Sequence, residues 1–285
     1  MSMVDMAGPF LLFDLGGTKM RVALSRDGSA LDEVKSVPTP ARFDEGVDTL
    51  ERVARELLGS DTPAAVVGGI GWVLDKSRSH IYRSTKANLL DWNDKPLREE
   101  LQRRFNAPVS LENDSVLAAL GEAVVGAGKG HHIVAYYTVS TGVGGARVVG
   151  GMPDSYASGF EPGKQLIDEC NLEEHVSGTA VQKKYGVHPK DLADLGVRSE
   201  LAKILARGVH NAIVHWSPNI FVFGGSMMIG VNPLPLDVVE KTLQTTLSFY
   251  PKLPALSLAA LGDDGVLHGA RILASERIQR GLGEV

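Results

Sequence analysis

The chain has 285 residues, 44% of them hydrophobic and 22% charged, and a formal net charge of −5. That length favours two domains over one, and the composition is ordinary for a soluble globular enzyme. A net negative charge with no Lys/Arg run speaks against broad nucleic-acid binding, which depends on neutralising many phosphates.

Cys170 is the only cysteine. Alone it makes neither an internal disulfide nor a thiolate zinc cluster, which fits a reducing, cytoplasmic setting. The start, MSMVDMAGPFLLFDL, lacks a basic leader, and its apolar run is too short to span a bilayer. A soluble protein without membrane attachment is expected.

In chain order, Phe10–Asp14 reads as a buried strand, Met20–Ser25 as its antiparallel neighbour ending at the Asp27-Gly28 turn, and Leu31–Val37 as a third strand of a meander. Glu45–Leu58 carries apolar residues at helical spacing and stops at Gly59. Ala64–Ile70 reads as a central strand, Pro96–Phe105 as a short charged helix and Pro108–Leu111 as a strand. Asn113 and Asp114 then open a helix over Ser115–Val125. Gly126–Gly130 is glycine-rich and suggests a hinge between halves.

The second half restarts the theme. Ile133–Ser140 reads as a strand, Gly142–Gly145 as a glycine loop and Ala146–Val149 as the returning strand. A helical face runs from Leu201 to Trp216, Ile220–Phe223 is a strand leading into Gly224-Gly225-Ser226, and Gly265–Arg280 is a final helix. This alternation of strands and helices favours an α/β class. FDLGGTKMRVAL in the first half is echoed by YTVSTGVGGARVV in the second, each a strand, a polar glycine turn and a strand.

Such a turn lets another group approach the backbone, and its successive N–H groups suit an anion. Thr18 adds a hydroxyl and Lys19 a positive charge, both matched to phosphate oxygens. Asp14 would repel phosphate, so its natural partner there is a divalent cation, through water. GG-T-K reads equally well as a β-turn with a solvated lysine, and Ser140–Gly145 as a plain hairpin. The two occurring together makes coincidence less attractive. The segment is neither a Rossmann fingerprint, which opens a helix, nor a Walker A loop. Asn113-Asp114 suits an N-cap and also suits a general base that takes a proton from an acceptor hydroxyl.

The ordered set of segments resembles the ROK family (repressor, open reading frame, kinase) of the actin–hexokinase–Hsp70 superfamily. DLGGTK matches the first phosphate motif, STGVGGA the second and FGGS at 223–226 the adenosine-side glycines. NLLDWNDKPLREEL, LENDSVLAALGE and LEEHVSGTA match the sugar-side segments. The resemblance implies two RNase H-like lobes with an active-site cleft between them. The lobes would divide as 1–113, with the helix from 265 to 285 packing back on it, and 114–264. It implies ATP and Mg2+ as cofactors, a monosaccharide as substrate and phosphorylation of a hexose at a primary hydroxyl. Asp114 would be the base, with Asn88, Asn113, Glu161 and Glu173 on the sugar hydroxyls. Gly16, Gly17, Thr18, Lys19, Thr141 and Gly142 would hold phosphates, Gly224 and Gly225 would pass the adenosine, and Asp14 would serve Mg2+. A homodimer is a family expectation.

Two departures stand out. The family's zinc-binding segments carry a histidine and three cysteines; here Lys164 replaces the histidine, and Asp168-Glu169-Cys170 stands where the cysteines would be. No zinc site is expected. Lys164 joins the substrate-side candidates, either on a hydroxyl, paired with Glu161, or in solvent. The segment from Gly69 to Asp75 is also shorter than the family's usual loop. His131, His132 and His175 lack ligand spacing, and Trp72, Trp92 and Trp216 read as packing residues. The alternatives are a sugar-binding protein without turnover and a ROK-type regulator; the latter is disfavoured because Asp14 lies too near the start for a DNA-binding domain ahead of it.

Overall fold

The structure, a computed structural model, describes residues 8–83 and 87–280. The chain divides into two compact units, one of Met1–Gly121, Ala157–Gly159 and Asp264–Val285, the other of Glu122–Tyr156 and Phe160–Asp263.

The first unit opens with the antiparallel meander β1 (Phe10–Leu15), β2 (Lys19–Ser25) and β3 (Val34–Pro38). β1 is buried along nearly its whole length, as a strand covered on both faces must be. Helix α1 (Phe43–Leu58) buries Phe43, Val47, Leu50, Val53, Ala54, Leu57 and Leu58, the apolar stripe that its spacing predicts. β4 (Ala65–Ile70) returns parallel to β1. A short hairpin, β5 (Val73–Leu74) and β6 (Ile81–Arg83), precedes α2 (Leu97–Phe105). β7 (Val109–Asn113) then lies parallel to β4 and runs directly into α3 (Asp114–Val124). The sheet order is β3-β2-β1-β4-β7.

The second unit repeats this plan. β8 (Ile133–Val139), β9 (Val143–Val149) and β10 (Met152–Pro153) form the meander. A hairpin of β11 (Leu166–Ile167) and β12 (Cys170–Asn171) leads to α4 (Leu172–Val176), α5 (Gly178–Tyr185) and the long α6 (Leu195–Trp216). β13 (Ile220–Gly224), α7 (Ser226–Ile229), α8 (Leu236–Thr246) and β14 (Ala255–Leu258) complete it. The order β10-β9-β8-β13-β14 matches the first sheet strand for strand. The duplicated hairpins of the sequence are thus the meander corners of two sheets of one topology. The last helix, α9 (Gly265–Gln279), belongs to the first unit and packs on β1 and β4.

The first unit runs to Gly121, and the start of α3 packs within it: Leu117 faces Gly69 of β4, and its carbonyl meets Gly269 of α9. Two expectations are corrected. Gly126–Gly130 is not the division between units. It lies inside the second, as tight turns in which Gly128 donates to the Glu122 carbonyl and Ala127 to its buried carboxylate; Ala260 and Leu261 donate to the same carboxylate. Gly144 and Gly145 are not loop. They pair with Thr138 and Tyr137 in the ladder, and a Cβ on Gly145 would stand 2.5 Å from the Tyr136 carbonyl.

α9 is pressed onto α3 hard enough to test. A Cβ on Gly269 would fall 1.8 Å from the Leu117 carbonyl oxygen, a backbone atom that cannot swing aside. Gly269→Ala is therefore expected to cost about 1–3 kcal/mol or more through overpacking. Calorimetry should show melting lowered by several degrees, on the order of 2–4 °C per kcal/mol; unchanged melting would contradict the packing.

Candidate functional site

The register of the first sheet decides where its chemistry lies. Leu15 pairs with Ile70, and Ile70 with Asn113, all in parallel strands. The residues that follow, Gly16, Gly71 and Asp114, therefore leave the sheet side by side at its carboxyl edge, where open α/β sheets gather their ligands. A Cβ on Gly71 would lie 3.2 Å from Asp114 Oδ2, 3.4 Å from the Leu15 carbonyl and 3.8 Å from the Gly16 Cα. Asp114 and the first glycine corner are thus neighbours in one unit. Gly71 belongs to none of the sequence motifs; its position directly after a buried strand is the one signal the sequence carries for it.

At the corner itself, the Gly16 amide donates to the Lys19 carbonyl at 3.1 Å. Thr39 anchors the turn, its amide on the Thr18 carbonyl and its hydroxyl on that of Gly16. Gly17 is half-buried, and Thr18 and Lys19 are exposed. Asp14 is half-buried, with Arg21 Nε 3.6 Å from its Oδ2, and the same buried guanidinium reaches Asp264 Oδ1 at 3.1 Å.

At the end of β7, three consecutive polar residues divide the work. Glu112 is buried, accepts from the Asn113 amide at 2.8 Å and pairs with Arg78 at 3.2 Å. Asn113 Oδ1 accepts from the Ser115 amide, capping α3 as its residue type suggests. Asp114 opens the helix, and Ser115 Oγ donates to its Oδ1 at 3.1 Å. The amino end of α3 favours a carboxylate there.

In the second unit, parallel pairing of Thr138 with Gly224 brings Ser140 and Ser226 side by side, their hydroxyls 3.2 Å apart. The corner Ser140-Thr141-Gly142 is closed by the Ser140 amide on the Gly142 carbonyl. Gly178 donates to the Ser140 carbonyl and Thr179 to that of Thr141. Glu173, at the start of α4, accepts from the Val143 amide at 2.8 Å and from Lys164 Nζ at 2.7 Å. Lys164 thus pairs with Glu173 rather than Glu161. The Glu161 carboxyl is pushed above the ordinary range, chiefly by lost hydration; the Lys164 charge opposes that shift and the Glu173 charge adds to it.

Other candidates sit differently. The side chain of Asn88 lies outside the described residues. Gly224 is buried, with the Tyr136 hydroxyl 2.3 Å from where its Cβ would be, and Gly225 (φ +83) rests on the Val139 carbonyl; close packing on β8 accounts for both glycines. Trp92 is 1% exposed, donates to the Pro40 carbonyl and packs edge-on to Phe43, so it is core. His131 and His132 are exposed, and His175 Nε2 lies 3.0 Å from the Ile167 carbonyl. Among the described residues no group of three or more His, Cys, Asp and Glu side chains is placed to hold a metal ion, and no helix is long and apolar enough to cross a membrane.

A family model described as ROK family matches residues 11–277. The chain belongs to the ROK family. A glucokinase of Thermotoga maritima is 30% identical over 316 residues, 93% of this chain and 96% of that protein. The crystal structure of a ROK hexokinase from Thermus thermophilus superposes with a TM-score of 0.81 at 27% identity, covering 96% of this ROK chain and 100% of the other. A ROK family glucokinase from Streptomyces griseus, in complex with glucose and AMPPNP, has the same fold, with a TM-score of 0.78 at 23% identity over 94% of this chain and 100% of that one. The fold is therefore the actin- and hexokinase-like one of ROK sugar kinases.

The loop that follows Gly71 carries its own acid-sensitive clasp. Burial disfavours the Asp75 anion, but the amides of His80, Ser79 and Ser77 and the Ser77 hydroxyl outweigh that and bring its carboxyl from 3.8 to about 2. A folded-state value below the unfolded one contributes stability above about pH 4 that is lost as pH falls towards about 2. Protection of the Ser79 and His80 amides, taken relative to the intrinsic exchange rate at each pH, is expected to fall across that window, and Asp75→Asn to bring the low protection to neutral pH. Unaltered protection in the variant would remove Asp75 as the clasp.

Proposed function

We propose that this ROK protein transfers the terminal phosphoryl group of ATP to a hexose, at a primary hydroxyl, with Asp114 as the general base. One observation carries the reading: the Asp114 carboxylate stands at the carboxyl edge of the first sheet, beside Gly71 and the Gly16–Lys19 corner. Membership of the ROK family and the glucokinase relative support sugar phosphorylation in general.

The residues fit a nucleotide tail with its cation. Gly16 turns so tightly that a Cβ would lie 3.0 Å from the Lys19 carbonyl, and the exposed Thr18 hydroxyl and Lys19 ammonium provide donors for phosphate oxygens. In the second unit Thr141 and Gly142 would hold phosphates as well, and Gly224 and Gly225 would flank the adenosine. Asp14 would serve Mg2+ through water, with Arg21 beside it limiting how much of its charge faces the ion. When bound, ATP and Mg2+ supply the transferable phosphoryl group and neutralise its charge.

The chain's own residues orient the acceptor and manage its proton. Asn113 has Oδ1 engaged in capping, so it would meet a sugar hydroxyl with its amide nitrogen. Glu161 and Glu173 would accept from others, and Asn88 would join them. The proton of the reacting hydroxyl passes to Asp114 as the sugar oxygen forms its bond to phosphorus, and ADP leaves with the electrons of the broken P–O bond. Most of the acceleration comes from positioning and charge neutralisation, with the base adding roughly 10²–10⁴-fold. Zinc has no part in this reading: the position of the family's zinc-ligating histidine is Lys164, whose ammonium is on Glu173.

Three measurements test it. A panel of monosaccharides with ATP and Mg2+, coupled to ADP detection, should show sugar-dependent ADP. Sugar binding by calorimetry without turnover would favour a sugar-binding protein instead. Asp114→Asn should lower kcat by about 10²–10⁴-fold while ATP affinity stays near the unmodified value; near-normal turnover would remove Asp114 as base.

A further inference from the structure

Glu173 is held from two sides by different parts of the second unit. Its Oε2 accepts from the Val143 amide at 2.8 Å, and its Oε1 from Lys164 Nζ at 2.7 Å. Room for this comes from Gly142, where a Cβ would stand 2.5 Å from Glu173 Oε2 and 3.3 Å from its Cδ. Lys164 is itself placed by a 3-10 turn, Pro162–Lys164, closed by its amide on the Glu161 carbonyl. That turn presses on the same Val143: a Cβ on Gly163 would be 2.3 Å from the Val143 carbonyl. Backbone packing, one amide and one ammonium thus form a closed loop around a single carboxylate.

A half-exposed Lys–Glu pair adds little to folding stability, so its effect lies in orientation. One hydrogen bond leaves a carboxylate free to rotate about it; two donors on different oxygens define its plane.

We propose that Lys164 is a positioning residue, which fixes the plane of the Glu173 carboxylate against the second glycine corner so that Glu173 offers a set acceptor edge to a sugar hydroxyl. The hold on Glu173 stands by itself; that its object is a sugar rests on the phosphorylation reading above. Lys164 then acts through Glu173 rather than as a substrate ligand of its own. The Lys164 cation, besides meeting Glu173, favours the charged form of the Glu161 carboxyl against the stronger effect of lost hydration.

The test compares Lys164→Met, Lys164→Arg and Gly142→Ala. Gly142→Ala pushes Glu173 Oε2 aside while leaving the lysine in place, and the atom displaced is the end of a flexible side chain, so the variant should fold. Lys164→Met is expected to keep its melting temperature within about one or two degrees, yet to exchange the Val143 amide about tenfold faster. With an accepted sugar, its KM for that sugar should rise about tenfold while kcat and the KM for ATP stay within about twofold. Gly142→Ala should share the rise in sugar KM and, because Gly142 is also a phosphate-side residue, raise the KM for ATP as well, whereas Lys164→Arg, which keeps a cation, should restore both exchange and sugar KM. Unchanged Val143 exchange in Lys164→Met would overturn the hold on Glu173; faster exchange with unchanged sugar KM would overturn its link to the sugar. Should the unmodified protein turn over no sugar, the phosphorylation reading fails, and the exchange measurement still decides for or against Lys164.

Discussion

Everything proposed for the first unit hangs on the level at which three parallel strands end. Leu15, Ile70 and Asn113 share one register line, so the chain leaves β1, β4 and β7 at a common edge. Neighbouring strands are held about 4.8 Å apart by their ladders. Gly16, Gly71 and Asp114 are therefore spaced by backbone hydrogen bonds rather than by the packing of their own side chains. A slip of one residue in β7 would turn Asp114 to the other face and break the ladder with β4. Positional precision of this kind is what phosphoryl transfer needs, since most of its catalysis is geometry.

The second sheet repeats the strand order but uses its edge differently. In the first unit the carboxylate beside the corner, Asp14, faces a buried guanidinium shared with Asp264. In the second, Glu173 comes from a helix rather than a strand and takes its cation from the exposed Lys164. A buried Arg between two acids is fixed by its surroundings, whereas an exposed lysine is replaceable. The two units therefore carry the same architecture with unequal tolerance for change: the first holds its acid through the core, the second through a surface side chain.

Much of this is legible in the amino-acid sequence. Strands of apolar, β-branched residues interrupted by DLGGTK and STGVGG announce two meander corners, and Asn113-Asp114 announces a helix start. Long-range consequences were not legible. That Gly71 lies against Asp114 follows from strand register, which no local pattern states. That Lys164 meets Glu173 rather than Glu161 follows from the turn of Pro162–Lys164 packing on Val143. α8 has no strong sequence signature because its buried stripe is thin, essentially Val239 and Leu243 within a polar stretch, and β11 and β12 are two residues each. Gly144 and Gly145 read as loop because glycine is the usual turn residue, while here it answers to a crowded neighbour strand.

That last case points to a way of sorting glycines. At Gly269, Gly145 and Gly225 an added Cβ would strike a carbonyl of the backbone, so the residue is required by the fold wherever it occurs. At Gly71 and Gly142 the nearest atom is instead a carboxylate oxygen, Asp114 Oδ2 in one case and Glu173 Oε2 in the other. Neither position has a positive φ, so the backbone itself does not demand glycine there. Space has been left for an acid, and leaving it sacrifices some chain stiffness, since glycine loses more conformational freedom on folding than other residues. The same room is left at Gly126 for Glu122 and at Gly196 for Asp194, acids that hold backbone amides; at Gly71 and Gly142 the acid so accommodated is one that the phosphorylation reading employs.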